Sequence, residues 1–273
     1  MQMSHLAFFS LMMTFLSFWI HKSAWLWGAF LAISYILAIN TSVVQPFSLV
    51  PIGTLLVLFW LFKNPIHGGL RLVLGLTVVA LAAGLNFHWI PGFCNWHVSG
   101  NFWVNYDKPF IGLFTLAFLL PLLRTPEEWY KMAFKAIPLT IVAVFTLAIL
   151  AVTSGTIAWQ FKIPSHFILR LATNLLLVVI PEEAFFRGFV QEELFKGLGK
   201  GLKGGIVAIV VSSLLFALFH LGWHSSFAML GFVCLAGVIY GAIYQYTRAI
   251  ESSILCHFAV NFIHMTFFTY HAE

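Results

Sequence analysis

The run FILRLATNLLLVVIPEEAFFRGFVQEELF, residues 167–195, decides how this chain is built. It is long and apolar enough to cross a bilayer, which takes ~20 apolar residues per helix. Yet Glu182, Glu183 and Arg187 stand in its middle. A charge at bilayer centre costs ~2.5–3.5 kcal/mol on insertion scales, so each calls for a reason. Helical spacing separates the two acids. Glu183 and Arg187 are i, i+4 with the acid first, the favoured order for an ion pair. Glu182 is turned by ~100° from Glu183 and has Phe186 at i+4. The expectation is that Glu183 pairs with Arg187 while Glu182 faces a cavity. Pro181 either kinks the helix or begins a new segment. In the second case both acids sit in a first turn, where exposed N–H groups and the helix dipole favour negative charge.

Working outward, the whole chain fits a membrane. Of its 273 residues 61% are hydrophobic and 8% charged, and the mean hydropathy is +0.95. A soluble domain carries about 25% charged residues, and none can hide this much apolar surface, because surface grows almost as fast as mass. Thirty Phe and ten Trp suit lipid contact and interfacial belts. Apolar stretches fall at about 5–20, 24–40, 43–62, 70–87, 109–123, 138–158, 167–195, 205–221, 226–245 and 252–270. The fifth is short and the seventh long, so the expected fold is an all-α polytopic transmembrane helix bundle of about eight to ten spans. No ten-residue alternating strands occur, which argues against a barrel. The N-terminus lacks a basic n-region and a clean cleavage site, and reads as a retained first span.

The net charge of +5 is no nucleic-acid patch, because the basic residues lie in short loops. Lys22, Lys63, Arg71, Arg124, Lys131, Lys135, Lys196, Lys200, Lys203 and Arg248 fall in one set of alternate loops. The other set holds Lys108 and Lys162, with Arg170 near a span start. The positive-inside rule then puts the first set in the cytoplasm and both termini outside. Residues 88–108 become an external loop, and 124–137 a short amphipathic helix on the cytoplasmic surface. Cys94, Cys234 and Cys256 form neither a CxxC nor a Cys/His zinc spacing. Residues 1–160 read as N-terminal transmembrane helices without a recognisable motif. Residues 167–270 carry the intramembrane polar groups, and that asymmetry locates the chemistry in this part of the chain.

Three polar groups stand out there: Pro181 to Gly188, Phe216 to His220, and His257 to Asn261. His257 and Asn261 are i, i+4 and can aim two donors at one small volume, as a developing oxyanion requires. At ~1.5 Å per residue, Glu182 lies ~21 Å and His220 ~22 Å from the cytoplasmic ends of their spans. His257 and Asn261 lie nearer that side, at ~10–16 Å. Phe186 and Phe216 read as packing residues. Glu192 and Glu193, before a basic loop, read as solvated. Trp223 and His224 mark a span end, and His264 is a candidate lining residue. His67 and His271 sit near span ends with no special role.

In order, the three groups spell EExxxR, FxxxH and HxxxN. They resemble the CPBP family of intramembrane proteases, which includes type II CAAX prenyl endopeptidases and Abi-like bacteriocin-processing or immunity proteins. The resemblance covers residues 167–270. It implies an intramembrane endopeptidase in which Glu182 is the base that activates water and His220 helps to hold that water. His257 and Asn261 then stabilise the oxyanion, and Glu183 with Arg187 supports the site. The residues leave metal open, since Glu182, His220 and His257 are able to ligate zinc with one open position. The absence of HExxH, and an amide at Asn261, favour a site with no cofactor. The expected partners are the lipid bilayer and a membrane-associated or lipidated peptide or protein substrate, with no nucleic acid and an open oligomeric state. The expected location is the plasma (inner) membrane of a prokaryote. The rivals are a non-catalytic immunity or assembly protein that keeps the fold, and a proton-coupled transporter. Against the transporter, only one helix break is legible, near Pro181.

Overall fold

The structure, a computed structural model, describes residues 3–21, 23–66, 68–100, 102–221 and 227–270. Lys22, His67, Trp223, His224 and His271 lie outside the described residues. The helices are α1 (Met3–Ile20), α2 (Ala24–Asn40), α3 (Leu49–Phe62), α4 (Gly68–Asn86), α5 (Phe110–Phe118), α6 (Pro126–Thr153) and α7 (Phe167–Thr173). They continue with α8 (Ile180–Glu183), α9 (Glu192–Gly197), α10 (Leu202–Leu218), α11 (Phe227–Thr247) and α12 (Ile250–Phe267). Two short antiparallel pairs interrupt them, β1 (Trp96–Ser99) with β2 (Phe102–Val104), and β3 (Ile157–Trp159) with β4 (Phe268–Tyr270). By length and hydropathy α4, α6 and α11 can each cross a membrane, and α1, α2, α3 and α10 are shorter apolar helices. The chain is an all-α membrane helix bundle, as its composition implies.

The sixth helix differs most from its sequence reading. The surface helix expected at 124–137 and the span expected at 138–158 form a single helix, α6, with Pro138 in its interior. A proline ends a helix in water, but an apolar helix tolerates one where neighbours re-satisfy the freed carbonyl. The start of α6 is the legible end. Thr125 caps it, taking the Glu128 N–H at 3.2 Å while Glu128 takes the Thr125 N–H at 2.9 Å, a reciprocal capping box. Glu127 and Lys131 pair one turn on, at 2.6 Å.

Compactness divides the chain into two units. The first comprises Met1–Pro121 and Ala172–Phe185. Here α1 and α2 are joined by hydroxyl-to-carbonyl bonds, Ser34 to Ala7 at 2.6 Å and Ser10 to Phe30 at 2.9 Å. Ser34 also meets the buried Tyr106 hydroxyl at 2.7 Å, and burial pushes that phenol above its ordinary range. Tyr35, Tyr106, Phe110 and Phe114 follow as a chain of ring contacts. Buried Asp107 accepts from Lys108 N–H at 2.9 Å and meets His88 Nδ1 at 2.5 Å, which anchors the loop before α5. In the first turn of α5, Gly112 lies against the backbone of Pro181 in α8, so close that a Cβ there would overlap the Pro181 carbonyl oxygen.

The second unit comprises Leu122–Leu171 and Phe186–Glu273. In it α6 packs against the start of α12 through Met132, Ala136 and Ala249, and against the β3–β4 pair through Ala151, Ile157 and Phe268. Buried Glu251, in the first turn of α12, accepts the Leu123 N–H at 2.8 Å and pins the segment before α6.

Candidate active site

The polar run around Pro181 is helical throughout. Val179 (φ −61, ψ −51), Ile180 (φ −59, ψ −50) and Ala184 (φ −57, ψ −42) all keep right-handed helical angles. The segments on either side, Asn174–Val179 and Ala184–Gln191, are wound as π-helix. Proline has no N–H to give and its ring crowds the carbonyl four residues back. Wider i→i+5 turns flank it here, a winding frequent at functional sites. Of the two sequence readings of Pro181, a new helix start is therefore not the one adopted, and the acids gain no first-turn dipole. Glu182 is half-buried and Glu183 is fully buried. Both belong to the first unit, whereas Arg187, His220, His257 and Asn261 belong to the second.

Within the second unit, Arg187 is fully buried in an aromatic box. Its guanidinium carbon lies 4.6 Å from the Phe216 ring centre, 5.5 Å from Tyr240 and 5.9 Å from Phe186. Such cation–π contacts contribute ~2 kcal/mol where water is excluded. Arg187 Nη2 donates to the Gly237 carbonyl at 3.1 Å, and one turn on Gln191 Nε2 donates to the Gly241 carbonyl at 3.0 Å. Both rungs have the same sequence offset of 50, so the helix carrying Arg187 and α11 run parallel here. Gly241 leaves room for Gln191, since a Cβ there would lie 2.7 Å from Gln191 Oε1, and Gly237 leaves room for α10, since a Cβ there would lie 3.1 Å from Ser213 Cβ. Ser212 adds a third tie, donating to the Phe186 carbonyl at 2.7 Å.

The two histidines meet on the same ring, Phe216. His220 sits with its ring centre 4.6 Å from Phe216, and its Nδ1 lies 2.8 Å from the Phe216 carbonyl. A carbonyl only accepts, so in that bond Nδ1 carries the proton. His257 is 4% exposed. It stacks on Tyr240 at 4.7 Å and 17°, and lies edge-on to Phe216 at 5.8 Å and 88°. Asn261 follows one turn later on α12 and is half-buried. His264 lies further along the same helix, its ring 4.7 Å from Tyr270.

The structure thus gathers Arg187, His220 and His257 around Phe216, which joins the three groups and does more than fill space. Tyr240 and Gln191 are the residues the sequence reading missed. Their signal was the small pair Gly237 and Gly241, which opens one face of α11. Glu192 is not simply solvated, because Arg248 Nη2 lies 2.7 Å from it and the Tyr244 hydroxyl 3.5 Å. Among the described residues no three His, Cys, Asp or Glu side chains form a metal-holding group. Residues 164–263, which contain all three polar groups, match the family model "Type II CAAX prenyl endopeptidase Rce1-like". That match supports the CPBP resemblance. No curated protein and no solved structure matches the chain.

Proposed function

We propose, from the Rce1-like character of residues 164–263, that the chain is an intramembrane endopeptidase that hydrolyses a peptide bond of a membrane-associated or lipidated peptide. Glu182 takes a proton from water, and His220 Nε2 holds that water in place. The water oxygen bonds to the scissile carbonyl carbon, and the carbonyl oxygen gains the charge. His257 and Asn261 donate to that oxyanion, each contributing ~3 kcal/mol to lowering the barrier. When the C–N bond breaks, Glu182 returns its proton to the leaving amine, leaving an acid and an amine. Glu183 and Arg187 hold the helix that carries the base. Zinc plays no part in this scheme.

The observation that carries the reading is the joint seat of His220 and His257 on Phe216, inside a stretch matched to a protease family. The test uses the full chain in lipid nanodiscs and two quenched fluorogenic probes, a farnesylated CAAX-type peptide and a secreted-peptide leader. Wild type is expected to cleave at least one. Glu182→Gln and His220→Ala are expected to accumulate equally and cleave neither. Cleavage surviving in Glu182→Gln overturns the base assignment. Silence of wild type on both probes favours the immunity or assembly role, which has no use for the carboxylate. Stoichiometric zinc that tracks activity and is lost in His220→Ala overturns the metal-free mechanism.

A further inference from the structure

In the second unit, β3 lies antiparallel to β4 with Ile157 opposite Tyr270, Ala158 opposite Thr269 and Trp159 opposite Phe268. Past β3 the segment goes on along the end of α12: Gln160 N–H donates to the Phe267 carbonyl at 2.9 Å and Lys162 N–H, one residue out of the strand register, to Thr266 at 2.8 Å. In an antiparallel pair, bonded and non-bonded positions alternate. Gln160 is a bonded position, so Ala158 is one as well. Trp159 and Phe161 then direct their N–H and C=O groups away from β4. The Phe268 N–H bonds back to the His264 carbonyl, as a non-bonded position opposite Trp159 requires. Among the described residues no other backbone segment bonds to this outer edge. The side chains of Trp159 and Phe161 are 67% and 61% exposed, and their rings flank Phe267 at 5.3 and 5.6 Å.

An open strand edge is a template for another strand, and proteins usually blunt or cover it. This one sits where α12, the helix of His257 and Asn261, turns into β4. A protease must take its substrate extended at the cut, since a helical peptide has its carbonyls engaged. We propose that the outer edge of β3 receives the substrate peptide as a third strand, and so presents an extended segment toward α12. The proposal rests on the protease reading above. An added strand lies two spacings from β4, ~10 Å to the side. Asn261 and His257 lie ~10 and ~16 Å back along α12 from Phe268. The path is then ~14–19 Å, which an extended chain covers in four to six residues at ~3.3 Å each. The paired stretch of substrate therefore lies about four to six residues from the scissile bond, with apolar side chains at alternate positions over Trp159 and Phe161.

Proline tests this, because at an outward position it removes only the edge donor and leaves the β3–β4 ladder bonded. The probe is a fluorescein-labelled farnesylated CAAX-type peptide. Its Kd is read by anisotropy on full-length Glu182→Gln protein, and its KM on the Glu182 form. Trp159→Pro and Phe161→Pro are expected to raise both at least tenfold, and Phe161→Ala, which keeps the N–H, by less. N-methylation along the peptide is expected to weaken binding at every second residue, a readout on the unaltered protein that does not depend on how the variants fold. Equal effects of Phe161→Pro and Phe161→Ala, or an N-methyl scan without alternation, overturn the proposal. So does a proline variant that changes the particle mass but not Kd, which assigns the edge to a second copy. A wild-type protein that binds with alternation yet never cleaves upholds the docking edge and defeats the protease reading alone.

Discussion

Replacing Gly112 by alanine places a methyl group inside the backbone of Pro181. The Cβ overlaps the carbonyl oxygen, and the Pro181 Cα and carbonyl carbon stand 2.6 Å away. Ordinary contact begins at 3.4 Å, and the carbonyl oxygen is the nearest atom, so α5 and the Pro181 turn must part by about 1.4 Å. Both sides are backbone, and no flexible side chain can give way. Overpacking of this kind costs ~1–3 kcal/mol. At ~2–4 °C per kcal/mol, the melting temperature falls by roughly 2–12 °C. The larger effect is on turnover. Glu182, the base of the proposed mechanism, follows Pro181 directly, and ~1 Å of misplacement of a catalytic group costs ~100-fold. The expected result is a drop in kcat of about that size from a residue 70 positions away in sequence. Gly53→Ala, in α3 of the same unit, is the control, because a Cβ there meets nothing within 4 Å and should leave kcat and melting unchanged. The assay is probe cleavage in nanodiscs beside a thermal melt. A Gly112→Ala protein with wild-type kcat and melting temperature would refute the close packing of α5 on the Pro181 turn and the chain of reasoning built on it.

Two further outcomes are expected. Tyr240→Phe keeps the ring stacked on His257 and should hold kcat within about threefold, whereas Tyr240→Leu removes the face and should lower kcat at least tenfold with little change in KM. Equal losses in steady-state kinetics for both variants would assign the effect to the hydroxyl and not to the stack. On the proposed mechanism Asn261→Ala removes a donor needed mainly in the transition state and should lower kcat by ~100-fold or more at nearly constant KM. A change confined to KM would make Asn261 a substrate contact instead.

How far the sequence could be read follows from what kind of signal each feature leaves. The bounds of α2 coincide with the apolar stretch at 24–40, because polar residues flank it on both sides. The length of α6 was not legible. Lys131, Lys135 and Pro138 mark a boundary in an aqueous helix, yet here an apolar face carries the helix through them. The π-wound turns around Pro181 left no local pattern either. They go with the close approach of Gly112, which lies far off in sequence. The motif residues were legible by their polarity at depth, and the two histidines do share Phe216. Tyr240 was hidden because an aromatic ring in an apolar run reads the same whether it faces lipid or a buried histidine. What joins Glu182 to the histidines rests on the family pattern.

The two-rung ladder from Arg187 and Gln191 to α11 bears on how the chain is made. Both carbonyl acceptors lie 50 residues downstream of their donors. At ~5–20 residues per second, a ribosome takes ~3–10 s to reach them. Over that interval the helix carrying Arg187 has been synthesised while α11 has not, and a central arginine opposes its entry into lipid by ~2.5–3.5 kcal/mol. The helix with the most polar content is thus the least able to partition by itself. Its stable insertion belongs to a late, collective step, in which α10 and α11 arrive and the arginine is sealed among Phe186, Phe216 and Tyr240.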